Sequence, residues 1–412
     1  MGYWAGRASY QGDDLPVAIS FETTSAGLKG VMSAPTMRAY RYPLQNISFD
    51  RSSLTFDLSG DGRTFAFKGT LEGNALKGNW NLFGVNATVS MTRGVSPSTP
   101  YTQEAVTCRN GEVTLAGTLF VPSASGAHPA VVFVHGSGPE TREVSNFLAD
   151  RLTREGFASL TLDKRGAGAS TGDWREADFT DLANDVLACV QILKARPDIN
   201  RSKIGIVGQS QAGWIAPLAA ALSSDVAFMA LISGPAVPVW REGWWDTEFR
   251  MRERGLLPDE IAKALAILRL NDEVTRTGQR FEDLQKSIEA VRGEAWFPAL
   301  GFQQTPPVDA PFRRFYRRII DFDPQAILQR MSVPSLWLFG DRDAEMPAAD
   351  SAAILEELRA QGKDIAIKTF RGADHALFIA PESGQSFRWP RVFPGYVETL
   401  TDWIKMAGQR TP

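Results

Sequence analysis

The sequence predicts a mostly parallel α/β sheet covered by helices on both faces, preceded by a small all-β domain and interrupted by a helical insertion. Three observations carry this. Residues 1–95 repeat apolar positions every second residue; from Ala105 onward continuous apolar runs alternate with amphipathic helical stretches; and that rhythm stops after Ser233-Gly234-Pro235, to resume only at Ser335.

In the first region the two-residue period shows in Val17/Ile19/Phe21, Ile47/Phe49, Leu54/Phe56/Leu58, Phe65/Phe67 and Val85/Ala87/Val89. Gly60-Asp61-Gly62 and Gly73-Asn74 supply turns. A sandwich or small barrel follows. Gly27-Leu28-Lys29-Gly30 returns as Ala75-Leu76-Lys77-Gly78, a hint of repeated hairpins. No ionisable cluster stands here, so the domain reads as a packing or homodimerising module. Ser96-Pro97-Ser98-Thr99-Pro100 stiffens the connection, and 96–104 reads as linker.

The second domain divides into a first part, 105–235, an inserted helical cap, 236–330, and a second part, 331–412. Strands are expected at Ala130 to Val134, Ala158 to Leu162, Ile204 to Val207, Ala227 to Ile232, Ser335 to Phe339 and Ile365 to Phe370. Continuous apolar strands spaced by helices are buried on both faces, which is the mark of parallel pairing.

Composition narrows the function. Forty-four basic and 47 acidic residues leave a net charge of −3, too little field to hold nucleic acid or an anionic membrane. No apolar run reaches the length of a membrane span. Cys108 and Cys189, far apart and without CxxC spacing, argue against a disulfide framework and a structural zinc. With three histidines dispersed, no metal site and no cofactor are expected. Met1-Gly2-Tyr3-Trp4 opens directly in a strand, which leans toward an exported, periplasmic or secreted, protein whose leader has been removed, with a cytoplasmic protein as the alternative.

The sharpest motif is Gly208-Gln209-Ser210-Gln211-Ala212-Gly213, at the junction of a strand and a helix. A serine at such a turn is held in a strained backbone that projects its hydroxyl above the sheet, and the crowding demands small neighbours. Ser210 is the candidate nucleophile. A hydroxyl needs a base, and the base needs an orienting carboxylate. His128 precedes a strand and His135 opens a glycine-rich turn, which leaves His375, directly after the last strand, as the base. Gly340-Asp341-Arg342-Asp343-Ala344-Glu345 offers three acids after the preceding strand. Asp343 is the choice, with Asp341 the alternative.

Nucleophile, acid and histidine in that order resemble the α/β-hydrolase superfamily, whose acid often sits in a Gly-x-x-Asp-x-x-x-Pro pattern matched by Gly340, Asp343 and Pro347. The resemblance covers about 105–235 and 330–410. It implies an α/β-hydrolase fold and an oxyanion hole built from the backbone N–H groups of Gln211 and of Ser137, in the His-Gly turn Val134 to Pro139. His135 is read as structural, with a pocket role as the alternative. Asp163-Lys164-Arg165-Gly166-Ala167-Gly168 lacks the third glycine of a dinucleotide loop and is similar to a superfamily loop that buttresses the His-Gly turn.

A cap inserted at this point lies over the catalytic mouth in the superfamily, so Trp240, Trp244, Trp245 and Phe315 are candidate pocket residues, with Phe302 among the cap's other aromatics. Arg313, Arg314, Arg317 and Arg318 read as a solvated face, or else as an anchor for a substrate carboxylate. The expected activity is serine carboxylic-ester hydrolysis on a small to medium ester. A peptidase, amidase or thioesterase of the same fold is the enzymatic alternative, although 1–95 is too short for the propeller of prolyl-oligopeptidase relatives. Outside enzymes the alternative is a ligand-binding homologue without chemistry.

Overall fold

The computed structural model describes residues 2–25, 27–60, 63–301, 305, 307–381 and 386–409. Asp61, Gly62 and Phe302, named above, lie outside the described residues. The first region folds as β1 (Gly2–Tyr10), β2 (Asp13–Thr24), β3 (Gly27–Ala34), β4 (Ala39–Asp50), β5 (Ser53–Gly60), β6 (Arg63–Glu72), β7 (Ala75–Leu82) and β8 (Val85–Gly94). All neighbours are antiparallel, and β8 pairs back onto β1, so the sheet closes as a barrel. Closure leaves no unpaired edge strand. The inward positions are the apolar halves of the alternation: Trp4, Phe21, Phe56, Phe67 and Trp80 fill the interior. The two Leu-Lys-Gly copies fall in β3 and β7, four strands apart round the barrel.

The second sheet has eight strands: β9 (Tyr101–Asn110), β10 (Val113–Pro122), β11 (His128–Val134), β12 (Ala158–Leu162), β13 (Ile199–Gln209), β14 (Phe228–Ile232), β15 (Ser335–Gly340) and β16 (Ile365–Phe370). Their order is β16-β15-β14-β13-β11-β12-β10-β9, parallel from β16 to β12 and antiparallel at β10 and β9. Tyr101 to Glu104 belong to β9, inside the stretch read as linker. Their side chains are mostly polar and exposed, and what anchors them is Tyr101, whose hydroxyl donates to Asp150 at 2.6 Å.

Helices α1 (Asn146–Arg154) and α10 (Tyr396–Gln409) cover one face through Phe147, Leu148, Leu400 and Ile404. The other face is covered by α2 (Phe179–Lys194), α3 (Ala212–Leu222) and α9 (Ala348–Ala360) through Leu182, Trp214 and Leu355. Residues 239–330 form α4 (Val239–Glu253), α5 (Pro258–Thr277), α6 (Phe281–Val291), α7 (Pro311–Ile319) and α8 (Gln325–Arg330). No helix among the described residues is long and apolar enough to cross a membrane.

Cys108 on β9 and Cys189 on α2 form a fully buried disulfide, which corrects the expectation from their spacing. Packing of α2 on β9 brings residues 81 apart in the chain to a Cα separation of 5.2 Å. Replacing both by alanine is expected to lower the free energy of unfolding by roughly 2–4 kcal/mol through the freed chain entropy of the unfolded state. A urea titration reads this as a lower midpoint. An unchanged midpoint contradicts it.

Candidate active site

Strand β13 ends at Gln209, and Ser210 turns the chain into α3 with φ of 55°. That conformation is costly for a side-chain-bearing residue and is held here by Ser210 N–H donating to Ile232 O (2.9 Å) and Gly213 N–H donating to Ser210 O (2.8 Å). A Cβ on Gly208 would come within 2.3 Å of the Ala212 Cβ, so glycine at one position is what permits alanine at the other. The Ser210 hydroxyl donates to no group among the described residues.

His375 stands in the loop after β16. Its Nδ1 donates to Asp343 Oδ2 at 2.8 Å, while Asp343 Oδ1 accepts from the backbone N–H groups of Glu345 and Met346 at 2.9 and 3.0 Å. Asp341 does something else: its carboxylate accepts from Gly372 N at 2.6 Å and so stitches the acid loop to the histidine loop. Gly340 lets these loops close up, since a Cβ there would lie 2.3 Å from Ala373 O. Burial alone would lower the His375 pKa, but the hydrogen bond to Asp343 and its charge, with Glu345 and Glu242 nearby, push it up to about 9. Its Nε2 lies 3.6 Å from Glu345 Oε2.

The His-Gly turn lies against the serine: a Cβ on Gly136 would be 3.5 Å from the Ser210 Cβ. Gly136 N–H is taken by Glu140 Oε2 at 2.7 Å. The backbone N–H groups of Ser137 and Gln211 have no acceptor among the described residues. Lys164 joins the two sides, its Nζ donating to Gly136 O and to Gln211 Oε1, both at 2.8 Å. Burial pulls the Lys164 ammonium down to about 8. His135 donates from Nε2 to Leu162 O, and burial followed by the Lys164 charge holds it at about 4, a neutral ring pinned to the end of β12. Asp163 accepts from Arg142 Nε and Nη2 at 2.9 and 2.6 Å, and Arg165 pairs with Asp185, so this loop is tied down from both sides.

From the helical insertion, α4 reaches the loop that carries Asp343. Trp245 Nε1 donates to Asp343 O at 3.2 Å, and Arg342 pairs with Glu253 at 2.9 Å. Trp240 packs on Trp244, whose Nε1 donates to Asp272. Phe315 instead packs edge-on against Trp174 as part of the buried core. Arg313 is buried and donates to Thr275 and Asn271 of α5, and Arg317 donates to Thr275 O. The expected solvated face is therefore partly a seam between α5 and α7, because helical spacing does not reveal which side another helix will cover. Glu242 of α4 faces His375, Asp343 and Glu345. Burial, followed by the two carboxylates against the opposing histidine, pushes it up to about 7. Glu242 and Lys164 were missed from sequence; only Lys164 had a signal, its place in the buttressing loop.

The Alpha/beta hydrolase family model matches residues 131–383. Esterase EstD of Thermotoga maritima is 26% identical over 274 residues, covering 64% of this chain and 58% of that protein. The AB hydrolase superfamily protein YisY of Bacillus subtilis is 30% identical over 121 residues, covering 29% of this chain and 42% of that one. Thus the matched part spans less than two thirds of either relative's length. Among solved structures, DcsB in complex with its substrate analogue is similar in fold, with a TM-score of 0.50 and 18% identity over 75% of this chain and 100% of that one. With the family's pattern running through more than half of its residues, from β11 to beyond His375, this chain belongs to the alpha/beta hydrolase family.

Proposed function

We propose that this chain is a serine carboxylic-ester hydrolase working through an acyl-enzyme. The observation that carries the reading is the buried Asp343–His375 pair, bonded at 2.8 Å, in a site whose elbow serine is held at φ of 55°. Catalytic hydrogen bonds to the nucleophile are commonly long in unliganded sites and tighten with substrate. In the forward step Ser210 Oγ bonds to the ester carbonyl carbon, its proton passes to His375 Nε2, and the carbonyl electron pair moves onto oxygen. The free N–H groups of Ser137 and Gln211 receive that oxyanion. Collapse expels the alcohol, which takes the proton from His375; water then repeats the sequence on the acyl-Ser210. Trp245, held at the acid loop, and Trp240 with Trp244 line the approach from the cap. The similarity to Esterase EstD supports ester over amide or thioester. The disulfide favours an oxidising compartment, in line with export.

The test is the pH dependence of kcat/KM on a chromogenic short-chain ester. Only the neutral imidazole can take the serine's proton, so activity rises as His375 loses its own proton. With that group pushed up to about 9, kcat/KM climbs about tenfold per pH unit below about 9 and levels above it. Glu242, pushed up to about 7, is ionised over the upper part of this limb, above about pH 7, and there helps to hold the proton on His375. Glu242→Gln is therefore expected to move the rising limb to lower pH. No ester turnover sinks the reading, and a limb at the ordinary histidine value that Glu242→Gln does not move removes the electrostatic account.

A further inference from the structure

The barrel is joined to the second sheet's domain by a strap of chain that also carries the histidine loop. Past His375, Phe378 bridges to Val392 and Ile379 N–H donates to Arg391 O. The far end of the strap is fastened to the barrel. Trp389 is buried in the barrel's own core, its backbone N–H donates to the Asp13 carboxylate at 2.8 Å, and its indole N–H donates to Asp13 O at 3.0 Å. Arg391 adds a bond to the same carboxylate at 2.5 Å, and Val392 N–H donates to Thr36 O at 2.9 Å.

Beside Thr36, in the turn between β3 and β4, Arg38 is 9% exposed and points out of the barrel into the other domain. Its Nη1 donates to Ala376 O at 2.6 Å and its Nη2 to Gln209 Oε1 at 2.7 Å. Ala376 follows the candidate base and Gln209 precedes the candidate nucleophile. The guanidinium lies over the rings of Phe378 and Tyr396, at 5.7 and 5.9 Å from their centroids, so its plane is held from the side as well. A guanidinium is rigid and planar, and two bonds from its two terminal nitrogens set the separation of their acceptors in a way that a flexible ammonium does not.

We infer that Arg38 is a positioning residue for the reaction proposed above, a rigid spacer through which the N-terminal barrel sets the distance between the Ser210 elbow and the His375 loop. The inference rests on the serine-hydrolase reading. It gives the barrel a part in the reaction beyond packing: it presents one side chain to the two loops that must agree in position. Misplacement of reacting groups by about 1 Å costs on the order of a hundredfold in rate.

The experiment uses the full chain and counts active sites by titration with a fluorophosphonate, so that rates are expressed per reactive serine. Arg38→Met keeps an unbranched apolar stem against the two rings and removes both donors. Per titrated site, kcat is expected to fall about ten- to a hundredfold with KM changed by less than about threefold, because substrate contacts are untouched. Arg38→Lys, which restores one donor, should recover part of the loss. Gln209→Met removes the other end of one bond and should show the same split between kcat and KM. The double variant should lose no more than the worse single, since the two act through one contact. A merely structural arginine would lower the number of titratable sites and leave kcat per site alone. The inference is overturned by kcat per site within about twofold of the parent in Arg38→Met, or by single losses that multiply in the double variant. Should Arg38→Met not fold, Gln209→Met alone decides by the same criteria. A parent protein in which Ser210 does not react with the fluorophosphonate overturns the serine-hydrolase reading instead, a result recognisable before any variant is made.

Discussion

Ser210→Ala is expected to lower kcat on a short-chain ester by about 10⁴- to 10⁶-fold while leaving the fold intact. The size follows from the route: without the hydroxyl no acyl-enzyme forms, and what remains is whatever the oxyanion donors and binding contribute to direct attack by water. In barrier terms the loss is about 5–8 kcal/mol, at 1.36 kcal/mol per factor of ten. Stability should hardly change, because the Ser210 hydroxyl has no partner to lose among the described residues, and the bonds that hold the elbow run from its backbone N–H and O. Near-ultraviolet circular dichroism and a thermal melt check the second half of the statement. Turnover within tenfold of the parent would move the nucleophile elsewhere.

Asp343→Asn carries the next largest effect, about 10⁴-fold in kcat. Two backbone N–H groups, of Glu345 and Met346, point at Oδ1. They oblige an asparagine to present its carbonyl oxygen to them and its NH₂ to His375. The imidazole can then only accept at Nδ1, which places its proton on Nε2, where the lone pair is needed to receive the serine's proton. The histidine is present but in the wrong tautomer. Asp341→Asn is the control: its remaining oxygen still accepts from Gly372 N–H, so kcat should stay within about twofold. The two variants together decide which of the neighbouring acids orients the base. Equal losses, or the larger loss in Asp341→Asn, would reverse the assignment.

What the sequence disclosed and what it withheld follow from locality. The elbow was legible because the constraint is local: a positive φ at Ser210 and the bare Gly208 are dictated within a few residues. Chain order and the strands they follow pointed to His375 and to the turn that holds its carboxylate partner. Choosing between Asp341 and Asp343 could not be done that way, since both sit in one turn and only coordinates show which carboxylate turns to the imidazole and which to Gly372. The barrel was legible as alternation, but its closure depends on β8 meeting β1, which no local pattern encodes. Likewise the disulfide, the burial of Arg313 under α5, and the reach of Glu242 toward His375 are products of packing between distant segments. Arg38 is a further case, bonded to a carbonyl 338 residues away.

Above all, Ser210 has to be the nucleophile that His375 activates. Incubation of the full chain with a fluorophosphonate, followed by peptide mass spectrometry, tests it most directly. The predicted result is one adduct per chain, on Ser210, whose rate of formation rises with pH along the same limb as kcat/KM and which is absent from Ser210→Ala. An adduct on another serine, or a Ser210 that remains unmodified while the ester is turned over, would contradict it.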